Sequence, residues 1–282
     1  MYIMHHYSTT TSKDLYPAPD SQSIWCESLP QASQTSPMIL HGLLALGALD
    51  LARRMPARQN DYLNKAAFHQ QAGIQYFKGT FSQSNPSETH LRVAFGAILI
   101  ICAFALPIIS GETPSLERIL DHFALIRGPS IFWSNGQSPL ADTSISSLVT
   151  HKEPGILSVQ RQEIKQQLEK VRSSLEDESC IDALDKLDRC LQICSADPHE
   201  VVEIGRWPAG ISSQYEELLK QRHPSALWVL AHYALLFAHV EQRWWFSGWG
   251  RIILHAVETA VSPGSSSIEA SDLAEVYKLS GL

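Results

Sequence analysis

The chain has 282 residues, 44% hydrophobic and 18% charged, with a formal net charge of −7. That length can bury the core of one large domain or of two small ones. Its basic residues are scattered rather than gathered in a stripe, which argues against contact with nucleic acid.

The first residues, MYIMHHYST, lack the plan of a secretory signal or transit peptide. Residues 1–36 are polar and proline-bearing and read as an extended arm with a short helix near Ser23–Ser28. Ser36-Pro37 then has the form of a cap followed by a first-turn proline. The helix it opens, 38–54, is apolar around most of its circumference. A second helix is expected over 59–79 and a third from Ser87 through the apolar run Val93–Leu106, closed by Pro107. That run is shorter than the roughly 20 residues of a membrane span, so a buried helix is expected and no membrane insertion. A fourth helix, Ser115–Ile126, should stop at Gly128-Pro129.

Residues 129–158 read as a long irregular loop. Amphipathic helices follow at 159–175 and 179–195, then a short segment ending at Trp207-Pro208 and a helix through Arg222. Pro224 reopens the chain into WVLAHYALLFAHVEQRWWFSGWG (Trp228–Gly250), and a helix near 250–261 precedes a linker and a short C-terminal helix. No strand pattern of useful length appears. The expected architecture is all-α: an arm at 1–36, a single helical domain at 37–261 and a linker with helix at 262–282. Three helices, 38–52, 93–106 and 226–240, are apolar all round and must be interior, the last near the centre.

Five cysteines (Cys26, Cys102, Cys180, Cys190, Cys194), an odd number without a signal, fit free thiols in a reducing, cytoplasmic setting. Cys190 and Cys194 have no second ligand pair nearby, so no metal is expected. Hydrolase, P-loop and dinucleotide-binding motifs are lacking, and no cofactor is expected. Asp182, Asp185 and Asp188 read as a solvated face.

At 100° per residue, Trp228, His232, Leu235, His239, Arg243 and Phe246 fall within about 80° of one another. Two readings stand side by side. The histidines are satisfied core groups, or they line a cavity in which imidazole donates to a ligand oxygen while Trp228 packs on its carbon skeleton. On the second reading His232 and His239 are candidate catalytic donors. His41, Phe95, His122, Trp228, Arg243, Trp245 and Trp249 are then candidate substrate-binding residues.

Four blocks carry a family resemblance: MHHYSTTTSKDL; SPMILHGLLALGALDLARR; NDYLNKAAFHQQAGIQYF; and HPSALWVLAHYALLFAHV with WWFSGWGRIILHAV. In order and pattern they resemble the C-terminal regulatory domain of fungal binuclear zinc-cluster transcription factors, the sterol uptake control group in particular. The resemblance implies an all-helical domain with a deep hydrophobic pocket, which accepts ergosterol in the family's sterol sensors. The family's six-cysteine DNA-binding cluster has no counterpart in this sequence. Two functions follow as expectations. One is a cofactor-independent cyclase or isomerase that folds a terpenoid-like substrate against the tryptophans, by cycloaddition or ring closure. The other is a non-catalytic sterol or terpenoid sensor or carrier, nuclear if the chain is a fragment of a transcription regulator. The expected partner is a hydrophobic small molecule, with self-association into a homodimer allowed for.

Overall fold

The computed structural model describes residues 2–15, 22–80, 89–130, 159–194, 201–261 and 270–280. Among them there is no strand, and the expected all-α class holds. The principal helices are α1 (Pro37–Arg54), α2 (Gln59–Thr80), α3 (Thr89–Ser110), α4 (Leu116–Ser130), α5 (Val159–Ser173) and α6 (Glu178–Cys194). They continue with α7 (Val201–Gly210), α8 (Ser213–Lys220), α9 (Pro224–Ala238), α10 (Trp249–Ala260) and α11 (Ala270–Ser280). Contacts divide the chain into two compact units, residues 1–112 with 128–150 and residues 113–127 with 151–282. The division runs through the segment 37–261 that reads as one domain in the sequence, and each unit is built around its own apolar helices. The linker at 262–269 and the loop at 131–158 lie outside the described residues.

The N-terminal segment of the first unit departs from the expected extended arm. Tyr2–His6 and Ser12–Leu15 are α-helical, Tyr7–Thr11 between them is wound as π-helix, and Ile24–Ser28 and Leu29–Ala32 are helical turns. Ser, Thr and His are indifferent helix formers, so propensity did not announce this helix. Burial decides it: Tyr7, Leu15, Ile24 and Trp25 are fully buried, and the Tyr7 hydroxyl donates to the Trp25 carbonyl at 2.9 Å.

A buried carboxylate ties this segment to α1. Asp50 is fully buried and accepts from Thr11 Oγ1 at 3.0 Å and from His6 Nε2 at 2.8 Å. It also pairs with Arg53 at 2.6 Å and with Arg54 at 3.0 Å, and Arg54 reaches on to Asp14. Burial would raise the Asp50 pKa. Hydrogen bonds from Arg53 and His6 and the charges of Arg53 and Arg54 outweigh it and hold the group below its ordinary value of 3.8.

Ser36 caps α1 as its sequence announces, the side chain accepting from Ile39 N at 3.5 Å with Pro37 in the first turn. The helices α1, α2 and α3 then approach closely through glycine. A Cβ on Gly73 would stand 2.8 Å from the Phe95 ring, and one on Gly42 would meet Ile98 and Phe95 at 3.0–3.2 Å. Phe95 is fully buried in the notch these glycines leave.

Three prolines expected to end helices lie inside them. Pro107 falls in the last turn of α3, where the helix is already established and the Ser110 hydroxyl donates to the Leu106 and Pro107 carbonyls. In α4 the helix runs on through Gly128 and Pro129 to Ser130. In α7, Pro208 removes the donor that would serve the Ile204 carbonyl four residues back, and the Tyr233 hydroxyl supplies it instead at 2.7 Å. At 22 residues, α3 is by length and composition apolar enough to cross a membrane, and 67% of its most apolar stretch is buried in the protein.

In the second unit every residue of α9 from Ala226 to Phe237 is buried. Trp207 stacks on Tyr233 at 4.5 Å, meets Phe123 edge-on at 5.8 Å, and donates its indole N–H to the Ala183 carbonyl at 2.8 Å. Helix α6 buries Leu184, Leu187, Cys190 and Cys194 and turns its aspartates outward as expected: Asp182 pairs with Lys186, Asp185 with Arg172, and Asp188 accepts from Gln192.

Two predictions follow from this packing. Gly73→Ala should destabilise the protein by about 1–3 kcal/mol, as overpacking does, whereas Gly79→Ala, with nothing within 4 Å of its Cβ, should be neutral or stabilise by up to about 1 kcal/mol. Urea denaturation of the two variants checks the opposite signs.

The second concerns acid. Because the folded pKa of Asp50 is depressed, its contribution is fully present above the unfolded value and is lost as pH falls through the folded one. Wild-type stability should therefore drop below pH 3.8 with a component that Asp50→Asn lacks. At neutral pH the same substitution should cost about 1–3 kcal/mol, the range for hydrogen bonds to charged groups. Thermal melts across pH measure both.

Candidate functional site

Helix α9 begins at Pro224, whose fixed backbone suits a first turn, with His223 in extended conformation before it. One turn in stands Trp228, 8% exposed, and one turn further His232, fully buried. His232 Nδ1 lies 2.9 Å from the Trp228 carbonyl four residues back and donates to it, the two rings 6.3 Å apart. The imidazole thus spends one nitrogen on its own helix. The indole is different: Trp228 Nε1 is buried and has no hydrogen-bond partner among the described residues. A buried tryptophan N–H normally finds an acceptor.

The helix stops at Ala238, so the shared face expected to run on to Arg243 and Phe246 is cut short. His239 is the C-cap residue, and residues 239–248 are turns. The Glu241 carboxylate closes them, accepting from Gly248 N at 3.0 Å and from the Ser247 hydroxyl at 3.3 Å. Gly248 has φ +85°, which favours glycine, and leads into α10. The apolar sequence could not show this break, because turn and helix here bury the same residue types.

The turns fold the aromatic residues back onto α9. Trp245 and Phe246 lie 4.1 Å apart, Phe246 meets Phe237 edge-on at 5.4 Å, and Trp249 stacks on Phe237 at 6.3 Å. His122 of α4 approaches Trp249 edge-on at 5.1 Å and spends Nδ1 on the Arg118 carbonyl at 2.6 Å. Arg243, Trp245 and Trp249 are all buried. The second unit therefore joins Trp228 to His232, and Trp249 to His122 and Phe237.

The remaining candidates, His41 and Phe95, belong to the first unit. Phe95 fills the glycine notch, so its role is packing. His41 lies on the α1–α2 seam, its Nδ1 2.9 Å from Nδ1 of His69.

Several polar groups that sequence reasoning passed over sit in the cores. Asp50 is one. Another is Glu203 on α7, 3% exposed, paired with Arg206 at 3.0 Å and beside Cys190. Burial raises the pKa of Glu203 above its ordinary value and pushes the Cys190 thiol up as well, leaving that thiol protonated and unreactive. The signal for both was an acid or thiol at an inward position of an amphipathic helix. Among the described residues, no three His, Cys, Asp or Glu gather to hold a metal ion. The arrangement around α9 offers apolar rings, imidazoles committed to backbone carbonyls, and the Trp228 indole N–H with no acceptor among the described residues.

Trp228→Ala should destabilise the protein by about 3–5 kcal/mol, as removal of a buried aromatic does. Trp228→Phe, which keeps most of the ring and deletes the N–H without a partner, should cost less than about 1.5 kcal/mol. Guanidinium unfolding curves distinguish the two.

A family model described as the fungal specific transcription factor domain matches residues 2–195. No curated protein matches the chain. The matched residues take in the N-terminal segment, α1 to α6 and the buried Asp50 cluster, and they make up well over half of the 282 residues. This all-helical chain belongs to the fungal specific transcription factor domain family.

Proposed function

We propose that this chain is the effector-sensing regulatory domain of a fungal transcription regulator, acting in the nucleus and binding a hydrophobic polycyclic ligand of sterol or terpenoid type. Family membership over residues 2–195 carries the reading. It favours a sensor over the cofactor-independent cyclase, for which His232 and His239 would have to act as catalytic donors.

The ligand end of the proposal rests on Trp228. Its buried indole N–H has no acceptor among the described residues, and a hydroxyl or carbonyl oxygen at one end of an apolar ligand would supply it. The neighbouring apolar side chains of α9 would cover the carbon skeleton, so affinity comes from apolar burial and orientation from one polar contact. The net charge of −7 suits a domain that leaves DNA contact to another part of the regulator and makes none itself.

The test is a titration of the purified chain with a panel of sterols and oxygenated terpenoids, followed by intrinsic tryptophan fluorescence. Tight binding of at least one member is expected. Loss of a single hydrogen bond in Trp228→Phe, worth about 0.5–1.5 kcal/mol, should weaken it roughly 2–12-fold. No binding across the panel overturns the reading. Ligand recovered as a ring-closed product, by mass spectrometry, replaces it with the cyclase.

A further inference from the structure

Helix α2 turns two large aromatic side chains to solvent. Phe68 is 64% exposed and Tyr76 50% exposed. Neither ring hangs loose: Tyr76 stacks on His41 at 5.8 Å and 20°, and Phe68 meets His69 edge-on at 5.2 Å. The two imidazoles share a hydrogen bond of 2.9 Å between their Nδ1 atoms. A hydrogen-bonded pair therefore braces both rings, and little rotamer freedom is left for them to lose on contact.

Phe68, Ala72 and Tyr76 stand one turn apart on one face of α2, a large–small–large stripe that is the same in either direction. The twelve residues from Ala66 to Phe77 include no Lys, Arg, Asp or Glu. Burial and the neighbouring His41 hold His69 below its ordinary pKa, so it too is neutral at pH 7. Exposed aromatic rings in a stretch depleted of charge are the compositional mark of an interface core. The wider charge pattern agrees. Residues 1–112 hold seven Lys and Arg against seven Asp and Glu, so the net charge of −7 falls wholly on the rest of the chain. Helix α2 thus belongs to the part that can meet its own copy without net repulsion.

We propose that the exposed face of α2 docks a second copy of this chain, the two helices antiparallel about a two-fold axis at Ala72. A two-fold interface must be self-complementary, residue i meeting j and j meeting i. In this register Phe68 of each copy falls opposite Tyr76 of the other, which gives two aromatic pairs, and the small Ala72 at the crossing lets the axes come close. Lys65 falls opposite Gly79, whose Cβ position is open. The Lys65 ammonium is already held by Asp61 at 2.9 Å, and its methylene stem can lie over the bare glycine. Lys78 lies about 120° round the helix from Ala72 and stays off the seam. One helix from each copy buries less than the about 1,200 Å² of a standard interface, so the association is weak and concentration-dependent.

The test is sedimentation velocity of the full chain over a rising concentration series, beside Phe68→Asp and Tyr76→Asp. A monomer–dimer equilibrium is expected. Each substitution should weaken it roughly tenfold or more, since a central aromatic anchor is lost on both sides at once, while the far-ultraviolet circular dichroism stays unchanged because both side chains are exposed. Cysteine crosslinking in a Cys26→Ser background then checks the register. Ala72→Cys should form a disulfide-linked dimer with itself. Phe68→Cys should link to Tyr76→Cys when the two variants are mixed and not to itself. A chain that stays monomeric throughout, a dimer that neither aspartate weakens, or the absence of these crosslinks overturns the proposal. None of these outcomes bears on ligand binding at Trp228, which lies in the other unit.

Discussion

A helix that is apolar on every side has no face to offer water, and much of this protein follows from having three of them. Helix α9 is buried without interruption from Ala226 to Phe237, and α1 and α3 bury most of theirs. Such helices need cover on all sides. The amphipathic α6 and α10 provide it in the second unit, each presenting one apolar stripe. In the first unit the cover includes the N-terminal segment, which is why a stretch of threonines, serines and histidines is helical at all.

Cover by polar-rich sequence brings polar atoms inside, and each then needs a partner. Asp50 resolves this by gathering Thr11, His6, Arg53 and Arg54 onto one carboxylate. The second unit uses backbone carbonyls instead: Trp207 on Ala183, Tyr215 on Ala226, Tyr233 on Ile204 and His232 on Trp228. The Tyr233 contact also repairs what Pro208 takes away, so a helix-breaking residue and a buried hydroxyl satisfy one another. Against this background the Trp228 indole stands out, with no acceptor among the described residues.

On the proposed reading, function in such a domain rests on binding rather than on bond-making. A regulator responds to a ligand only through differential affinity for two states, and a core held by aromatic contacts and a few directed hydrogen bonds can shift its balance on modest binding energy. The family match reaches to residue 195, while Trp228 lies beyond it. The family match therefore speaks for the scaffold of α1 to α6 and not for α9.

The sequence by itself determined the helical class, the Ser36-Pro37 start of α1, the interior place of the three apolar helices and the outward aspartates of α6. Each is written in local chemistry: a cap, a period, a run of one residue type. Only the tertiary structure decided the helical N-terminal segment, the continuation of α3, α4 and α7 through their prolines, and the end of α9 at Ala238. It also decided which candidate residues meet: His41 with His69, His122 with Trp249, Trp228 with His232. Those outcomes depend on where a distant carbonyl, glycine or carboxylate lies when the helices pack. Residues as far apart as His6 and Asp50, or Pro208 and Tyr233, act on one another only after the chain has folded, and no local pattern encodes their meeting.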